Sequence, residues 1–432
     1  MSLPRAEEWT DPGSMDPPRR WGRRALIAIA TLAATVAVWL IAWRATSLRG
    51  LPRVEPFDVV AAGTVAIPEA ENAYTSYRAA AAKLAEPPRG ISGGFPSSWD
   101  DIPRAERDWF FASGDAVGLW LEGTARDRSV YHQPKDMRFD TNLDVAHKLR
   151  FLARLGLMAG LRMESQGELE EAWDWYRAVL RCSRHIEMHG GFVERLYGIG
   201  MINAASGPVQ VWSDHPNLNV GLLRKALDEL VAIDAMTPPY SQNLRAEYYF
   251  TAGLLDDPDL SLWKIQHGLN ATAPEAEEGP TPRDRLAEAF WRLALREPER
   301  SRRAMNLLWA NWLSACDLPA AERASRRRSS PDRLLYDPPA DAPEAARRLS
   351  PEALERQVAS TRLLRPLLPN VGAIETAIDR ETGVRAGLII HLAERLYIRE
   401  RGETPGSPDA LVGPYLKALP EGYDRPSTPN PR

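Results

Sequence analysis

Two consecutive amphipathic patterns in residues 144–186 constrain the fold of this chain more than any other feature. The second pattern places apolar residues such as Trp173 and Tyr176 at the spacing of one helix face. The first is apolar on two sides, so we expect it to lie between neighbouring helices. Gln166-Gly167 marks the turn between two antiparallel helices. Because similar patterns continue on both sides of the pair, the sequence predicts an all-α fold.

The helix pair resembles a single tetratricopeptide unit. Gly160, Gly167, Ala172 and Tyr176 occupy the spacings at which that repeat places its packing glycine, turn glycine, small residue and aromatic residue. The resemblance implies that the two helices pack in the manner of the repeat. It covers one unit, with Gly156 at the position of the repeat's first tryptophan. An ordinary helical hairpin with a glycine turn is the alternative interpretation.

An uncharged apolar run, ALIAIATLAATVAVWLIAW, covers residues 25–43. At about 1.5 Å per residue, a helix of about 19 residues just crosses the hydrocarbon core of a bilayer. Trp21 and Trp43 lie near its two ends, where indole rings favour the membrane interface. The run is longer than the apolar part of a signal peptide, about 7–15 residues, which favours a retained signal-anchor over a cleaved signal. The sequence predicts a single-pass membrane protein that contacts lipid through residues 25–43.

Arginines on the two sides of this span predict its orientation. Four lie between residues 19 and 24, and three lie between residues 44 and 53. Since positively charged flanks favour the cytoplasmic side, the small excess predicts a cytoplasmic N-terminus. We therefore expect the large domain outside the cytoplasm, attached to the cell membrane.

Changes in composition divide the chain into five parts. They are a disordered tail (1–24), the transmembrane helix (25–43), a linker (44–68), a helical domain (69–401) and a short helix with a tail (402–432). Within the helical domain, irregular loops are expected near residues 270–282 and 318–350. The second loop contains Arg326-Arg327-Arg328, for which a solvated, mobile loop is the main interpretation and a docking patch is the alternative.

Charge and cysteine content limit the classes of function. The 432 residues carry a formal net charge of -4, which argues against a nucleic-acid partner. Free buried thiols are the favoured state of Cys182 and Cys316, and one bridge between them is the alternative outside the cytosol. No cofactor is predicted. Gly198-Ile-Gly200 lacks the third glycine of a dinucleotide fingerprint, and nothing upstream resembles a strand.

One cluster suggests metal chemistry. Cys182, His185 and His189 stand at positions i, i+3 and i+7, so on a helix a thiol and two imidazoles would share one face. This is the only metal-site hypothesis that the sequence supports. The alternative is a pair of histidines near a helix end, favoured there by the helix dipole.

Three stretches resemble a family of bacterial single-pass, membrane-anchored helical proteins. These are the N-terminal anchor, residues 167–205 and residues 388–420 (LIIHLAERLYIRERGETPGSPDALVGPYLKALP). The last stretch, with its Gly402-Glu-Thr-Pro405 helix stop, also resembles a segment of type II secretion pseudopilins. The resemblance implies an architecture at the cell envelope and implies no catalytic chemistry. Because the N-terminus lacks a prepilin cleavage signature, pilus assembly is not expected.

These patterns predict a membrane-anchored, non-catalytic helical domain that binds a protein or peptide at the cell envelope. The alternative is a periplasmic hydrolase that acts on cell-wall or glycan material through paired carboxylates. Three adjacent acidic pairs are present, namely Asp100-Asp101, Glu170-Glu171 and Asp256-Asp257. Neighbouring residues on a helix point to different faces, so these pairs do not by themselves form a catalytic dyad. A pocket with two facing carboxylates would favour the hydrolase.

Overall fold

The computed structural model describes residues 19–91, 98–138, 141, 143–257, 281–330 and 333–423. Helices make up 67% of the structure and strands 2%, which confirms the predicted all-α class. The sequence patterns account for this result because amphipathic stripes recur along most of the chain and bury their apolar faces against each other.

The first helix, α1, runs over Arg19–Thr46. Its apolar part, Ala25–Thr46, is 22 residues long with a mean hydropathy of 2.4, and none of the residues in its most apolar stretch is buried within the domain. At about 1.5 Å per residue it is about 33 Å long, close to the thickness of a hydrocarbon core. The structure thus has one N-terminal helix that is long and apolar enough to span a membrane. Residues 19–24, expected in a disordered tail, are helical, whereas residues 1–18 lie outside the described part.

Residues 44–68 do not form the extended linker that the sequence suggested. Leu51 is 1% exposed and contributes to an apolar core, and its carbonyl accepts a hydrogen bond from Arg303. Phe57 packs edge-on against Tyr248, and a short helix, α2 (Val59–Ala62), follows. The linker interpretation was wrong because it relied on the lack of helical periodicity. The few apolar residues of this stretch, such as Leu51 and Phe57, pack against other parts of the domain.

In the first half of the domain, the described residues form seven further helices. They are α3 (Ala73–Lys83), α4 (Arg104–Ala112), α5 (Gly114–Thr124), α6 (Asp144–Ser165), α7 (Leu169–Glu187), α8 (Phe192–Asp214) and α9 (Val220–Asp234). Helix α3 begins later than the expected Glu69 because the Asn72 side chain caps it by accepting the Tyr74 N–H. The expected antiparallel pair is α6 and α7, and Gly167 turns between them with a positive φ of 80°.

The second half contains the remaining described elements. They are α10 (Tyr240–Asp256), α11 (Pro282–Leu293), α12 (Glu297–Leu313), α13 (Ala320–Arg326), β1 (Arg327–Ser330), β2 (Arg333–Tyr336), α14 (Glu344–Arg347), α15 (Pro351–Ala359) and α16 (Val371–Arg401). Single 3-10 turns occur at Pro134–Asp136, Arg365–Leu367 and Pro408–Leu411. The last is the short helix expected within residues 402–432. Of the loop expected at 270–282, residues 270–280 lie outside the described residues.

Residues 318–350 are more ordered than the sequence suggested. They contain α13, α14 and an antiparallel hairpin in which Arg327 pairs with Tyr336 across the two strands. The hairpin is held because the Asn311 side chain bonds both the N–H and the carbonyl of buried Tyr336. The arginine run is also held: its members lie against the carboxylates of Glu322, Glu375 and Asp337. The solvated-loop interpretation of the run was wrong. Its residues belong to α13 and β1, and their guanidinium groups pair with carboxylates that lie outside the run.

Two apolar cores lie side by side and share two helices. The first core is built around α3, α5, α6, α7 and α9, and the second around α10, α12, α15 and the β-hairpin. Helix α8 enters the second core with Phe192 and the first with Trp212. Helix α16 does the same with Ile374 and Leu392. The two long helices therefore tie the halves of the domain together.

Candidate functional site

A cluster of buried charges lies where α7, α8 and α16 meet between the two cores. Arg184 lies 3.0 Å from both Glu187 and Glu381, and Arg195 lies 3.2 Å from Glu187. Arg385 contacts Glu381 at 2.6 Å and also pairs with Asp234 at the end of α9. Three guanidinium groups thus face three carboxylates. We call these six residues the buried ionic cluster.

The segment between α9 and α10 supplies further hydrogen-bond partners for this cluster. Arg184 donates to the Thr237 hydroxyl at 3.1 Å, and Arg195 donates to the Pro238 carbonyl at 3.1 Å. Burial raises the pKa of Glu381, but the guanidinium groups of Arg184, Arg385 and Arg195 outweigh burial and lower the pKa below its usual value. The carboxylate is therefore held ionised by its partners. Burial raises the pKa of the neighbouring Glu187 despite Arg184 and Arg195. We interpret the cluster as a structural one, because each of its six groups has an ionic partner within the protein.

A groove of about 410 Å³ opens on the second core. Four segments line it: the loop before α6, the first turns of α8, the middle of α10 and the start of α16. Apolar side chains form most of the lining, namely those of Met137, Leu143, Phe192, Val193, Leu196, Phe250, Pro369, Ala373 and Ile374. Val193 is 44% exposed and Leu196 is 42% exposed, so the groove offers apolar surface to a ligand. Its volume is in the range of small-ligand pockets.

Two carboxyl groups, Glu194 and Glu247, meet in this groove, which we call the carboxylate groove. If residue 191 had a Cβ atom, that atom would lie 3.0 Å from Oε2 of Glu247 and 3.4 Å from Oε2 of Glu194. Glu247 accepts the Phe192 N–H at 3.2 Å, at the N-terminus of α8. Glycine at position 191 leaves the space that lets the two side chains approach each other and the first turn of the helix.

The environment of the pair makes both groups weaker acids. Burial raises the pKa of Glu247 to about 7, the Phe192 N–H opposes this effect, and the nearby Glu194 adds to it. Burial also raises the pKa of Glu194, although the backbone N–H groups of Glu194 and Gly191 offset part of the rise. At neutral pH this groove therefore holds a carboxyl pair that can both donate and accept hydrogen bonds.

The structure does not assemble the metal site suggested by the sequence. The Cys182 thiol is buried and accepts a hydrogen bond from the Trp120 indole at 3.2 Å. His185 is also buried, and its Nδ1 lies 2.7 Å from the Tyr77 hydroxyl. Burial is the main cause that lowers the pKa of His185 to about 3, so the imidazole is neutral at physiological pH. Both side chains serve the first core.

His189 stands apart because α7 ends at Glu187, two residues before it. It adopts a positive φ of 59°, and its N–H donates to the Gln242 side chain at 2.9 Å. The His189 side chain lines a separate cleft of about 340 Å³ beside residues 61–66. The helical spacing of i+7 therefore does not apply. Among the described residues, no group of three or more His, Cys, Asp or Glu side chains could hold a metal ion.

The two cysteines are free and buried, as the favoured interpretation predicted. Cys182 belongs to the first core and Cys316 to the second. Because a disulfide needs Cα atoms within about 7 Å, two residues in different cores cannot be bridged without a large rearrangement. The alternative of a Cys182–Cys316 bridge was therefore wrong for this fold.

The adjacent acidic pairs in the sequence lie away from the groove and have local partners. Glu170 pairs with Lys225 at 2.8 Å, and Asp256 pairs with Arg302. Asp101 accepts a hydrogen bond from the Ser98 hydroxyl at 2.7 Å. None of these pairs lines the carboxylate groove.

Sequence reasoning did not pair Glu194 with Glu247, because 53 residues separate them. A usable signal was present at Glu194. It stands in the first turn of a mainly apolar helix, FVERLYGIG, where an acidic residue is favoured by the helix dipole. Nothing in the local sequence distinguishes Glu247 from an ordinary surface glutamate of α10.

Comparison with known proteins adds no assignment. No protein-family model, curated protein or solved structure matches this chain.

Proposed function

We propose that this chain is a single-pass membrane protein whose extracytoplasmic helical domain binds a protein or peptide partner in the carboxylate groove. The observation that carries the proposal is the groove itself. It has a volume of about 410 Å³, and both apolar side chains and the carboxyl groups of Glu194 and Glu247 line it. Apolar side chains of a partner would fill the groove. An amide or basic group of the same partner would complement Glu194 and Glu247.

The anchoring part of the proposal is supported by α1. Its 22-residue apolar segment has no buried residue in its most apolar stretch, as expected of a helix whose surroundings are lipid. An alkaline phosphatase fusion after Arg53 tests the orientation. An active fusion supports the proposed topology. An inactive fusion, together with an active cytoplasmic-type reporter at the same site, would reverse it.

Binding can be tested with full-length protein in nanodiscs and a displayed library of short random peptides. We expect enriched peptides to carry apolar residues and to lose at least about tenfold in affinity for the Leu196→Glu variant. The matched control is Val211→Glu, because Val211 lies on the same helix α8, is 54% exposed and is outside the groove. Equal binding to both variants, or no enrichment over empty nanodiscs, would contradict the proposal.

A second candidate, hydrolysis of cell-wall or glycan material, is favoured by one observation. The pKa of Glu247, raised to about 7 by burial, is that of a group able to act as a general acid near neutral pH, with Glu194 beside it. Binding is the preferred function because Glu247 already accepts the Phe192 N–H and the lining is mainly apolar.

Release of dye from labelled peptidoglycan by the full-length protein tests this second candidate. If hydrolysis occurs at the pair, Glu247→Gln should abolish it while Glu403→Gln, an exposed carboxyl, should not. Absence of release by the wild-type protein, or equal release by both variants, would remove the assignment.

A further inference from the structure

We propose that α11 is an interfacial helix that lies on the lipid surface beside the span, in the leaflet from which the domain emerges. The inference rests on the membrane anchoring proposed above. It concerns a different element from the carboxylate groove and assigns α11 a lipid partner.

The first observation is the position of α11 against α1. The Phe290 ring stacks on Trp39 with centroids 6.1 Å apart and lies 5.9 Å from the Trp43 ring. Arg44 donates to the Leu293 carbonyl at the C-terminal end of α11. These contacts lie in the last two turns of the span, where tryptophan favours the boundary between hydrocarbon and headgroups. The fold therefore holds α11 at the depth of the membrane interface.

The second observation is an apolar face that the protein leaves uncovered. Leu286, Phe290 and Leu293 stand at positions i, i+4 and i+7, so they share one side of α11. Leu286 is 73% exposed and Leu293 is 68% exposed, which places them among the most exposed large apolar side chains described for the domain. The adjoining surface is the equally exposed apolar side of α1. The two surfaces are continuous, and a bilayer around α1 would cover both.

The third observation is the polar side of the same helix. Three arginines, Arg283, Arg285 and Arg292, stand among two acidic residues, so the helix carries a net positive charge. At about 100° per residue, Arg285 and Arg292 flank the apolar face on one side and Arg283 on the other, while Asp284 and Glu288 lie opposite it. Arginines that flank an apolar face can extend their guanidinium groups to lipid headgroups while their stems stay on the apolar surface. The helical conformation of α11 is also stabilised locally, because Thr281 and Asp284 form a capping box at its start.

The fourth observation fixes α11 to the domain rather than to the span alone. The Arg362 guanidinium lies 3.6 Å from the centroid of the Trp291 ring, on the flank of α11 away from Leu286 and Leu293. Arg296, with a positive φ of 51°, then turns the chain sharply into buried helix α12. The span and α11 together would hold the domain at two places on the membrane and set its orientation.

Depth-dependent quenching tests the inference on the full-length chain in phosphatidylcholine vesicles. Single cysteines at Leu286, Leu293, Val36 and Val211 would carry an environment-sensitive dye, while the buried Cys182 and Cys316 remain unlabelled. We expect lipids brominated near the headgroup to quench the dye at Leu286→Cys and Leu293→Cys and to shift its emission to the blue. Val211→Cys, exposed on α8, should show neither change.

The readout at Val36 separates the two proposals. Quenching of Val36→Cys by lipids brominated deep in the acyl chain, without quenching at Leu286 or Leu293, overturns the interfacial helix and leaves the anchor intact. Absence of quenching at Val36 contradicts the anchor itself, and the interfacial helix with it. Equal signals at Leu286, Leu293 and Val211 would also overturn the inference.

Discussion

At the scale of single residues, burial decides chemistry that the sequence leaves open. Cys182 and His185 look like metal ligands in a linear sequence, yet each is enclosed in the first core and bonded to an aromatic partner, Trp120 or Tyr77. Glu247 looks ordinary in the sequence, yet burial brings its pKa near neutrality. The physical cause is the same in all three residues, namely that burial disfavours the charged form. It keeps Cys182 and His185 neutral at physiological pH, and it brings the titration of Glu247 close to that pH.

The reactivity of the two thiols follows from their burial. Burial raises the pKa of Cys182 to about 12 and raises that of Cys316 well above its usual value, so neither forms a thiolate at pH 8. We expect no reaction of native protein with a thiol-specific disulfide reagent at pH 8, and reaction of both thiols in denaturant. Rapid modification of either thiol in the native protein would contradict the two-core packing.

Glu247 should make the stability of the protein depend on pH. Its folded-state pKa of about 7 exceeds the ordinary value of 4.5, so the folded state binds more protons between these values. The free energy of unfolding should then fall as pH rises through this window, with the full contribution present below about 4.5. Glu247→Gln keeps an acceptor for the Phe192 N–H but does not ionise. We expect the variant to gain about 2–3 kcal/mol relative to wild type between pH 4.5 and 7.5.

Urea unfolding followed by circular dichroism at a series of pH values measures this difference. Because the charges of Glu194 and Glu247 act on each other, the difference reports the titration of the pair and not of Glu247 alone. Parallel pH profiles for wild type and Glu247→Gln would show that the carboxyl group is not buried as the structure describes.

At the scale of elements, small residues determine how closely the helices approach. Gly160 of α6 faces the Tyr176 ring of α7, and a Cβ placed there would lie 2.3 Å from a ring carbon. Gly160 and Tyr176, two of the residues that carry the resemblance to a tetratricopeptide unit, therefore lie against each other, while the likeness to that unit remains a resemblance. Gly198 of α8 similarly admits Glu187, whose carboxylate would lie 2.3 Å from a Cβ. Close approach of α7 and α8 thus makes room for the buried ionic cluster.

Substitution of Gly160 by alanine should be destabilising despite the better helix propensity of alanine. We expect a loss of about 1–3 kcal/mol, because the Tyr176 ring is packed and cannot move aside without disturbing the core. Gly118→Ala is the matched control, since Gly118 lies inside α5 and a Cβ there meets nothing within 4 Å. That variant should gain up to about 1 kcal/mol. Chemical denaturation measures both, and a stable Gly160→Ala protein would contradict the close packing of α6 and α7.

At the scale of the whole molecule, two helices and one ionic cluster join the two apolar cores. Glu381 and Arg385 lie in the middle of α16, between its second-core residues and its first-core residues. Arg195 lies in the first turn of α8, between the second-core residues Phe192 and Ile199. The carboxylate groove opens at the second-core end of both helices. A substitution in the buried ionic cluster is therefore expected to change binding in the carboxylate groove as well as the stability of the protein.

Removal of one charge from the buried ionic cluster tests this role. Glu381→Gln leaves Arg184, Arg195 and Arg385 without their shared carboxylate, which typically costs about 3–5 kcal/mol for a buried pair. Glu170→Gln breaks the exposed pair with Lys225 and should change stability little, because solvent screens that pair. Thermal unfolding measures both variants. Equal, small effects would show that the cluster does not hold the two halves together.

The sequence by itself determined the helices and the apolar span, because both follow from local patterns of residues. The pair α6 and α7 and the helix stop at Gly402 were predicted within a few residues. A stretch without periodicity was harder to interpret. Residues 44–68 and 318–350 are packed, because their few apolar or amide side chains meet surfaces that other parts of the chain provide.

Only the tertiary structure decided which charged and polar groups meet. Glu194 and Glu247 come from different helices, and the buried ionic cluster draws on α7, α8, α9 and α16. Helix periodicity reports which face of an element is apolar, but it carries no information on which other element covers that face. The candidate site therefore arises from contacts between elements, and burial within those contacts sets the pKa values that give the groove its chemistry.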